Sequence, residues 1–431
     1  MKICMMTNTY LPHVGGVARS VSTFADEFVR EGHDVLVVAP EFDGRKLPAK
    51  AEAMVERVPS LRNFNGSEFS VRLPLAAALS DRLDDFQADI IHAHHPFLLG
   101  DTALRVAMNK NVPIIFTHHT RYEDYTHYIP FSEAMKEVAI LLPTHFANLC
   151  DGVIAPSESI ARTIRRRGVT TPIKVIPTGI DVKAFASAEG ARFRERLKIP
   201  ADSLVIGHVG RLAQEKNLRF LAEAVAQFLA LEPRGRFLVV GDGPARDEMK
   251  EVFKKHGVAD QLLLAGKRTG RVLREAYRAM DVFAFASKSE TQGMVVAEAM
   301  AAGVPVVALN ASGVREVVED GTNGFLLPGN ASTETFSRAL EKCAVKEERE
   351  RLSAGAQTTA AQFSREQSAK KALAFYDETR RATRARRLMN HLSPWAALVK
   401  RIGLEWDLLS TRTQTVAAAV FGEGDDKAKA S

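Results

Sequence analysis

Short apolar runs alternate with helix-like stretches through the first half of the chain. One such stretch, GGVARSVSTFADEFVREGH, repeats its apolar residues at helical spacing and ends near Gly32. The apolar runs are rich in β-branched residues and bounded by turn residues, which is typical of buried strands: KICMMTN, DVLVVAP, ADIIHAH, VPIIFTHHT, DGVIAPS and IKVIPTG. Strands that alternate with helices predict parallel βαβ units.

The second half repeats this alternation. Its predicted strands are LVIGHVGRL, RFLVVGDGP, QLLLAGK, DVFAFAS, VPVVALN and GFLLPG, with amphipathic helices between them. We therefore predict an α/β fold of two doubly wound domains facing each other across a cleft. We place these domains at residues 1–185 and 186–364, followed by a helical extension at residues 365–431. Ligands of such sheets bind beyond the carboxyl ends of the strands, so functional residues should lie just after strands.

The composition excludes several classes of protein. At 431 residues, with 46% hydrophobic and 26% charged residues, the chain has the make-up of a soluble globular protein. Cys4, Cys150 and Cys343 are widely spaced, which argues against a disulfide framework or a zinc site and fits a reducing cytoplasm. The first residues indicate a strand rather than a signal peptide, and no apolar stretch is long enough to predict a membrane span.

Positive charge is concentrated in two parts of the chain. The net charge is +6, yet residues 380–401 alone contain six arginines, one lysine and no acid, and residues 159–180 are also basic and acid-free. Basic clusters among apolar residues suggest an anionic partner, although a solvated helix face can look the same. We expect a membrane surface and no nucleic acid, because no stacking platform or recognition helix is evident.

Two glutamates flank the start of a predicted helix in SKSETQGMVVAEAMAAGVPVVA. Glu290 lies in the loop after a strand, and Glu298 lies on the helix that follows, with seven residues between them. The N-terminus of that helix offers unpaired backbone N–H groups to an anion or to sugar hydroxyls. The pair suits a polyhydroxylated ligand, but the spacing by itself carries little weight.

Three other strand ends carry candidate binding residues. GHVGRLAQEKN places Arg211 and Lys216 at the mouth of a strand, where two cations suit a diphosphate. GDGPARDE is a further glycine-rich turn. In PHVGGVARS, Gly15 and Gly16 allow backbone amides to approach a ligand closely. Each motif alone is equally explained by surface charge or by a tight turn.

The segment THHTRYEDYTHY follows a predicted buried strand and is unusually rich in polar aromatic and ionisable groups. Their density indicates more than packing. Metal binding is an alternative, but the histidine spacings are not familiar zinc spacings. The residues concerned are His118, His119, Tyr122, Glu123, Asp124, Tyr125, His127 and Tyr128.

Together these motifs resemble the family 4 glycosyltransferases of the GT-B fold. The resemblance covers about residues 1–380 and rests on the ordered occurrence of the GG loop, GRLAQEKN, GDGP and the E-x7-E stretch followed by GVPVVA. It implies two Rossmann-like domains, the first binding the acceptor and the second the nucleotide sugar, and a C-terminal helix that crosses back to the first domain. It also implies retaining hexosyl transfer with no tightly bound cofactor and no DxD-bound metal.

The resemblance implies roles for residues of the second domain. Arg211 and Lys216 would hold the diphosphate and stabilise the charge of the leaving group. Glu290 would hold the hydroxyls of the donor sugar, and Glu298 those of the ribose. The backbone of the helix start would also contact the donor, at Gly293, Met294 and Val295.

In the first domain, the resemblance implies that His119 lies near the transferred sugar, with His118 as the alternative. Gly16 would approach the phosphate or the acceptor. The implied catalytic residues are therefore His119, Glu290, Arg211 and Lys216.

The segment HTRYEDYTHYI is similar to one in bacterial 1,2-diacylglycerol 3-glucosyltransferases and related lipid glycosyltransferases. This similarity implies transfer of glucose from UDP-glucose to a lipid hydroxyl, by a cytoplasmic protein bound peripherally to the inner face of the cell membrane. UDP-galactose and GDP-mannose stay open as donors. The membrane-binding candidates are Arg162, Arg165, Arg166, Arg167, Arg384, Arg386, Arg387 and Trp395.

Three other functions stay open. The same donor chemistry could serve a soluble sugar or metabolite acceptor. A UDP-sugar 2-epimerase shares the two-domain architecture but needs acid and base carboxylates beside C2. A non-catalytic basic binder would have no need for the donor-site motifs. Nothing in the sequence indicates the oligomeric state.

Overall fold

The computed structural model describes residues 1–13, 15–42, 49–61, 71–72, 77–121, 123 and 132–389. They fall into two compact units. The first unit contains Met1–Pro177 and nearly all of the C-terminal helix, from Ser368 onwards, and the second contains Thr178–Gln367.

The first unit is built on a parallel sheet of seven strands. In chain order, the strands of this unit, inside and outside that sheet, are β1 (Lys2–Met6), β2 (Asp34–Pro40), β3 (Val55–Val58), β4 (Ser60–Leu61), β5 (Val71–Arg72), β6 (Ile90–Ala93), β7 (Ile114–Thr117), β8 (Gly152–Ala155) and β9 (Ile173–Val175). Its helices are α1 (Gly16–Arg30), α2 (Ala49–Glu52), α3 (Ala77–Phe86), α4 (Leu99–Asn109), α5 (Ser132–Leu149) and α6 (Glu158–Arg166). The sheet order is β3-β2-β1-β6-β7-β8-β9, while β4 and β5 form a separate antiparallel pair. The strand order therefore reverses between β1 and β6.

The second unit has a parallel sheet of six strands. The strands are β10 (Val205–Val209), β11 (Arg236–Val240), β12 (Leu262–Leu264), β13 (Val282–Phe285), β14 (Val306–Leu309) and β15 (Gly324–Leu327). The helices are α7 (Val182–Ala186), α8 (Gly190–Arg196), α9 (Leu218–Leu229), α10 (Arg246–Lys255), α11 (Gly270–Arg278), α12 (Met294–Ala301), α13 (Thr333–Ala344) and α14 (Lys346–Gln362), with short 3-10 helices at Gln214–Lys216 and Ala259–Gln261. The last helix, α15 (Arg365–Met389), belongs to the first unit from Ser368 onwards. The order β12-β11-β10-β13-β14-β15 is that of a doubly wound sheet, and it reverses between β10 and β13.

Both faces of each sheet are buried. Along β10, Val205 and Val209 pack into one apolar cluster and Ile206 packs into the other. Strands buried on both sides read as continuous apolar runs rather than as an alternating pattern. The strands could therefore be recognised in the sequence, and the twelve predicted strands are all present. Three strands, β3, β4 and β5, were not predicted.

The last helix packs into the first unit, as the resemblance implied. Phe375 and Tyr376 of α15 are buried there, and a side chain at Gly152 would approach the ring of Phe375 to 2.8 Å. Arg380 donates to Asp89 at 2.9 Å, and the same carboxylate accepts the backbone N–H of Lys2. The helix is therefore held by apolar packing and by an ion pair at the start of the sheet.

Some predicted residues lie outside the described part of the chain. These are Trp395 and the tyrosine-rich part of the segment after β7, including Tyr122, Asp124, Tyr125, His127 and Tyr128. Arg386 and Arg387 lie on α15, but their side chains are outside the description. Among the helices that are described, none is both long and apolar enough to cross a membrane.

Candidate active site

In the second unit, the loops that follow β10 and β13 meet where the strand order reverses. The hydroxyl of Ser289 donates to the backbone oxygen of Glu215 at 3.2 Å. The side-chain amide of Asn217 donates to the backbone oxygen of Ala286, also at 3.2 Å. The two predicted donor-binding motifs therefore form one continuous surface at the carboxyl edge of the sheet, where doubly wound sheets bind ligands.

An ion pair joins these two motifs. The Nζ atom of Lys216 lies 2.6 Å from Oε1 of Glu290, and the side chains are only 19% and 17% exposed. Arg211 is paired with Glu215 but remains about half exposed, at 53%. A cation suited to phosphate and a carboxylate suited to hydroxyls thus lie side by side, although 74 residues separate them in the sequence.

The GDGP turn shapes this surface with its backbone. A Cβ atom at Gly241 would lie 1.8 Å from the backbone oxygen of Gly210, and one at Gly243 would lie 2.4 Å from that of Leu212. Gly241 and Gly243 have φ values of +153° and +150°. Leu212 donates its backbone N–H to the backbone oxygen of Asp242 at 2.9 Å. The glycines are required because the turn packs directly against the loop that carries Arg211.

Helix α12 begins at the same surface with an open N-terminus. Gly293 precedes it in the left-handed conformation, with φ +62°, and no side chain caps the helix. A Cβ atom at Gly293 would lie 2.5 Å from the backbone oxygen of Gly313. Met294 and Val295 are the first residues of the helix, so their backbone N–H groups have no carbonyl within the helix to bond. These donors suit hydroxyl or phosphate oxygens.

Glu298 lies deeper than the other predicted ligands. Its side chain is fully buried, and Oε2 accepts a hydrogen bond from the hydroxyl of Tyr277 at 2.8 Å. The carboxylate is therefore anchored within the second unit, and its contact with a ribose stays a prediction.

His208 is a buried polar residue of this site that the sequence analysis did not single out. It is fully buried near the end of β10, and its Nδ1 lies 3.2 Å from the backbone oxygen of Ala284, which can only accept. Burial lowers the pKa of His208 to about 4, so the ring is neutral at pH 7. Nε2 of His208 then carries a lone pair. This nitrogen faces the turn at Gly210, because a Cβ atom built on Gly210 would lie 3.4 Å from Nε2.

In the first unit, the structure separates the two histidines that the sequence left as alternatives. His118 is 3% exposed, and its backbone N–H bonds to Ile154. His119 is partly exposed, and its Nε2 lies 2.9 Å from Nδ1 of His94. His119 is therefore the ring that is more open to a ligand.

A layer of buried histidines lies behind His119. The rings of His92 and His94 lie 4.0 Å apart, and those of His94 and His119 lie 5.2 Å apart and stack. His92 bonds to Thr117 at 2.7 Å and to the hydroxyl of Tyr376 at 2.5 Å. Burial lowers the pKa of His92 to about 3 and also lowers the pKa values of His94 and His119, so these rings are neutral at pH 7. The HAHH sequence at the end of a predicted strand was the signal that could have revealed this layer.

The glycine pair lies at the start of α1, after β1. Gly15 is the N-cap in an extended conformation, and Gly16 is the first, exposed residue of the helix, with open space where a side chain would be. No acidic side chain occupies the first turn. The predicted approach of Gly16 to a phosphate or an acceptor is compatible with this position and stays a prediction.

The arginines of α6 differ in their surroundings. Arg162, Arg165 and Arg166 are exposed on the face opposite the buried Ile160, Ala161 and Ile164. Arg165 also approaches Glu158 at 3.3 Å. Three exposed cations on one face of an amphipathic helix suit an anionic surface.

Arg167 differs from its neighbours, because its guanidinium bonds to Glu123 at 2.6 Å and both side chains are less than one-fifth exposed. Burial by itself would raise the pKa of Glu123, but hydrogen bonds from Arg167 and the backbone hold that pKa below its usual value. The positive charge of Arg167 is thus paired with Glu123 inside the first unit. On α15, Arg384 is exposed.

No cluster of three or more histidine, cysteine, aspartate or glutamate side chains in the described ranges is arranged to hold a metal ion. His94 and His119, which follow β6 and β7, instead bond to each other, and His92 within β6 bonds to hydroxyl groups. The metal alternative for THHTRYEDYTHY therefore has no ligand set among the residues of that segment that are described.

Comparison with known proteins relates both units to sugar-transferring enzymes. A family model described as Glycosyltransferase Family 4 matches residues 14–184, and one described as Glycosyl transferases group 1 matches residues 190–359. An alpha-monoglucosyldiacylglycerol synthase from Streptococcus pneumoniae is 31% identical over 76% of this chain and 76% of its own length.

Two further proteins are similar to this chain. A GDP-mannose-dependent alpha-mannosyltransferase from Mycobacterium tuberculosis is 29% identical over 76% of this chain and 84% of its own length. Among solved structures, the Anabaena protein HepE in complex with UDP superposes with a TM-score of 0.71 at 22% identity, covering 88% of this chain and 100% of its own. At that identity the superposition speaks for the fold alone.

Proposed function

The chain belongs to the family 4 glycosyltransferases of the GT-B fold, and from this premise we propose that it transfers glucose from UDP-glucose to a hydroxyl of a membrane lipid such as diacylglycerol. The observation that carries this proposal is the relative from Streptococcus pneumoniae, a monoglucosyldiacylglycerol synthase that is similar over three-quarters of both chains. The exposed arginine face of α6, made of Arg162, Arg165 and Arg166, supports a lipid surface as the place of reaction.

The proposed reaction retains the configuration of the transferred sugar. The bond from the anomeric carbon to the diphosphate oxygen breaks, and a bond to the lipid hydroxyl oxygen forms on the same face. The proton of that hydroxyl passes to the leaving diphosphate. In this mechanism Arg211 and Lys216 hold the diphosphate and stabilise the charge that develops on it, which is the main electrostatic contribution. No metal ion takes part, as is usual in this family.

The sugar-binding groups follow from the same surface. Glu290 accepts hydrogen bonds from hydroxyls of the glucose, and the backbone N–H groups at the start of α12 donate to oxygens of the donor. Glu298 is assigned to the ribose, in keeping with the position of the second glutamate of the motif. In the first unit, we assign His119 to the transferred sugar and Gly16 to the phosphate or the acceptor.

Transfer assays with labelled donor test the proposal. The protein is incubated with mixed liposomes that contain diacylglycerol, with and without anionic lipid, and with radiolabelled UDP-glucose or GDP-mannose. We expect labelled glycolipid from UDP-glucose, in an amount that rises with anionic lipid. Labelled lipid that forms only from GDP-mannose would refute UDP-glucose as the donor. Labelling of a soluble acceptor but not of lipid would refute the lipid as the acceptor.

A charge-matched pair of variants tests the basic face. The triple variant Arg162→Gln, Arg165→Gln, Arg166→Gln should lose most of its stimulation by anionic lipid. The control removes the same charge from exposed arginines of the second unit, Arg192, Arg219 and Arg234, and should keep that stimulation. Equal losses in the two triple variants would assign the effect to net charge and refute the docking face.

A further inference from the structure

The proton between His94 and His119 can lie on either ring, and this choice decides what His119 offers to a ligand. His94 directly follows β6 and His119 follows β7, and these strands are neighbours in the sheet. Nδ1 of His94 and Nε2 of His119 are 2.9 Å apart. Because both rings are neutral, one nitrogen must donate and the other must accept.

The other nitrogen of His94 indicates which ring donates. Nε2 of His94 is buried and has no hydrogen-bond partner among the residues that the structure describes. If His119 donated, the proton of His94 would have to sit on Nε2, as a buried N–H group with no acceptor. Buried N–H groups without a partner are rare, because the hydrogen bond to water that they lose is not replaced. If His94 donates from Nδ1, Nε2 carries only a lone pair, which is the less costly group to leave unpaired.

The ring of His94 is held firmly enough to impose this choice. His92 lies against it with ring centroids 4.0 Å apart. His92 is itself bonded on both nitrogens, to Thr117 at 2.7 Å and to Tyr376 of α15 at 2.5 Å. A ring bonded on both sides cannot flip without losing both bonds, so His92 gives His94 a fixed neighbour.

We propose that His94 is a positioning residue that donates Nδ1–H to Nε2 of His119 and thereby holds His119 as the tautomer protonated on Nδ1. His119 then presents an N–H donor to its ligand, and the matching ligand atom is an oxygen that accepts, such as a hydroxyl oxygen of the transferred hexose. The identity of that ligand rests on the proposed function, whereas the tautomer does not.

Nitrogen-15 NMR of the full chain, labelled at histidine and free of ligand, measures the tautomer directly. At pH 7.5 the two ring nitrogens of a neutral histidine have distinct shifts, and His119→Gln identifies the signals of His119 by their loss. We expect His119 to be protonated on Nδ1. A spectrum in which His119 is protonated on Nε2 overturns the inference, whatever the donor or acceptor of the enzyme proves to be.

Two substitutions at one position test the consequence. His94→Asn keeps an N–H donor close to the place of Nδ1, whereas His94→Phe fills the space and donates nothing. His94→Phe should move His119 to the Nε2 tautomer and lower kcat by roughly tenfold, with the KM for UDP-glucose within about twofold. His94→Asn should keep both the tautomer and most of kcat.

The inference fails if His94→Phe leaves the tautomer of His119 unchanged, or if His94→Asn loses as much kcat as His94→Phe. The lipid acceptor is not needed for this comparison, because release of glucose to water or to any working acceptor reports kcat. Absence of transfer to lipid would therefore count against the proposed function alone.

Discussion

The ion pair between Lys216 and Glu290 leads to a prediction about which part of the donor each residue binds: Lys216 the diphosphate and Glu290 the sugar. In the ligand-free chain their charged atoms are 2.6 Å apart and less than one-fifth exposed. If Lys216 serves the diphosphate, a ligand must compete with Glu290 for it. Removal of the lysine and removal of the carboxylate should then have opposite effects on the binding of UDP, which has phosphates but no transferred sugar.

The magnitudes follow from the contacts. Lys216→Met removes a charge-assisted contact worth about 1.5–3 kcal/mol, which raises the Kd for UDP about 10- to 150-fold. Glu290→Gln removes the competitor for Lys216, so UDP should bind equally well or up to about fivefold more tightly, corresponding to about 1 kcal/mol. The same Glu290→Gln variant should lose tenfold or more in sugar transfer, because the carboxylate that accepts from the sugar hydroxyls has gone.

Isothermal titration calorimetry with UDP at about 0.15 M salt measures both affinities with surface charge screened. Lys288→Met is the control, since Lys288 is exposed on the same loop as Glu290, and its Kd should stay within about twofold of the wild type. The reasoning is refuted if Glu290→Gln weakens UDP binding tenfold or more, as Lys216→Met does. The glutamate would then be needed to shape the phosphate site rather than to hold the sugar.

Two further predictions concern the stability of the second unit. Gly241→Ala should lower the free energy of unfolding in urea by about 2–4 kcal/mol, because its Cβ would lie 1.8 Å from the oxygen of Gly210 at φ +153°. Gly257→Ala has φ +73° and open space, so it should cost only about 1 kcal/mol, and equal losses would contradict this account. Burial holds the pKa of His208 at about 4, below its usual value of 6.5, so between these values the unfolded chain binds a proton that the folded chain does not. The free energy of unfolding should therefore fall by about 3 kcal/mol, from this group, as the pH is lowered from about 6.5 to 4. In urea titrations, the free energy of unfolding of His208→Asn should depend less steeply on pH than that of the wild type. Parallel curves would exclude His208 as the cause.

Much of the fold was determined by local pattern in the sequence. Strands buried on both faces are continuous apolar runs, and glycine and polar residues interrupt them where the chain turns. The predicted strands were therefore found, and the candidate residues after them, from Arg211 to Glu290, lie at the carboxyl edge of a sheet. The strands β4 and β5 escaped prediction because they are only two residues long, and β3 escaped because Glu56 and Arg57 interrupt its apolar run.

Only the tertiary structure decided which of these residues meet. The order of strands in a sheet is set by long-range packing, so no local pattern could bring Lys216 beside Glu290 or His94 beside His119. Long-range packing also decides how deeply each side chain is buried and which partner it meets. Glu298 and Arg167 look in the sequence like their neighbours, yet one is buried against Tyr277 and the other is paired with Glu123. A residue type and its spacing specify what a side chain can do, whereas its partner and its burial depend on elements that are far away in the chain.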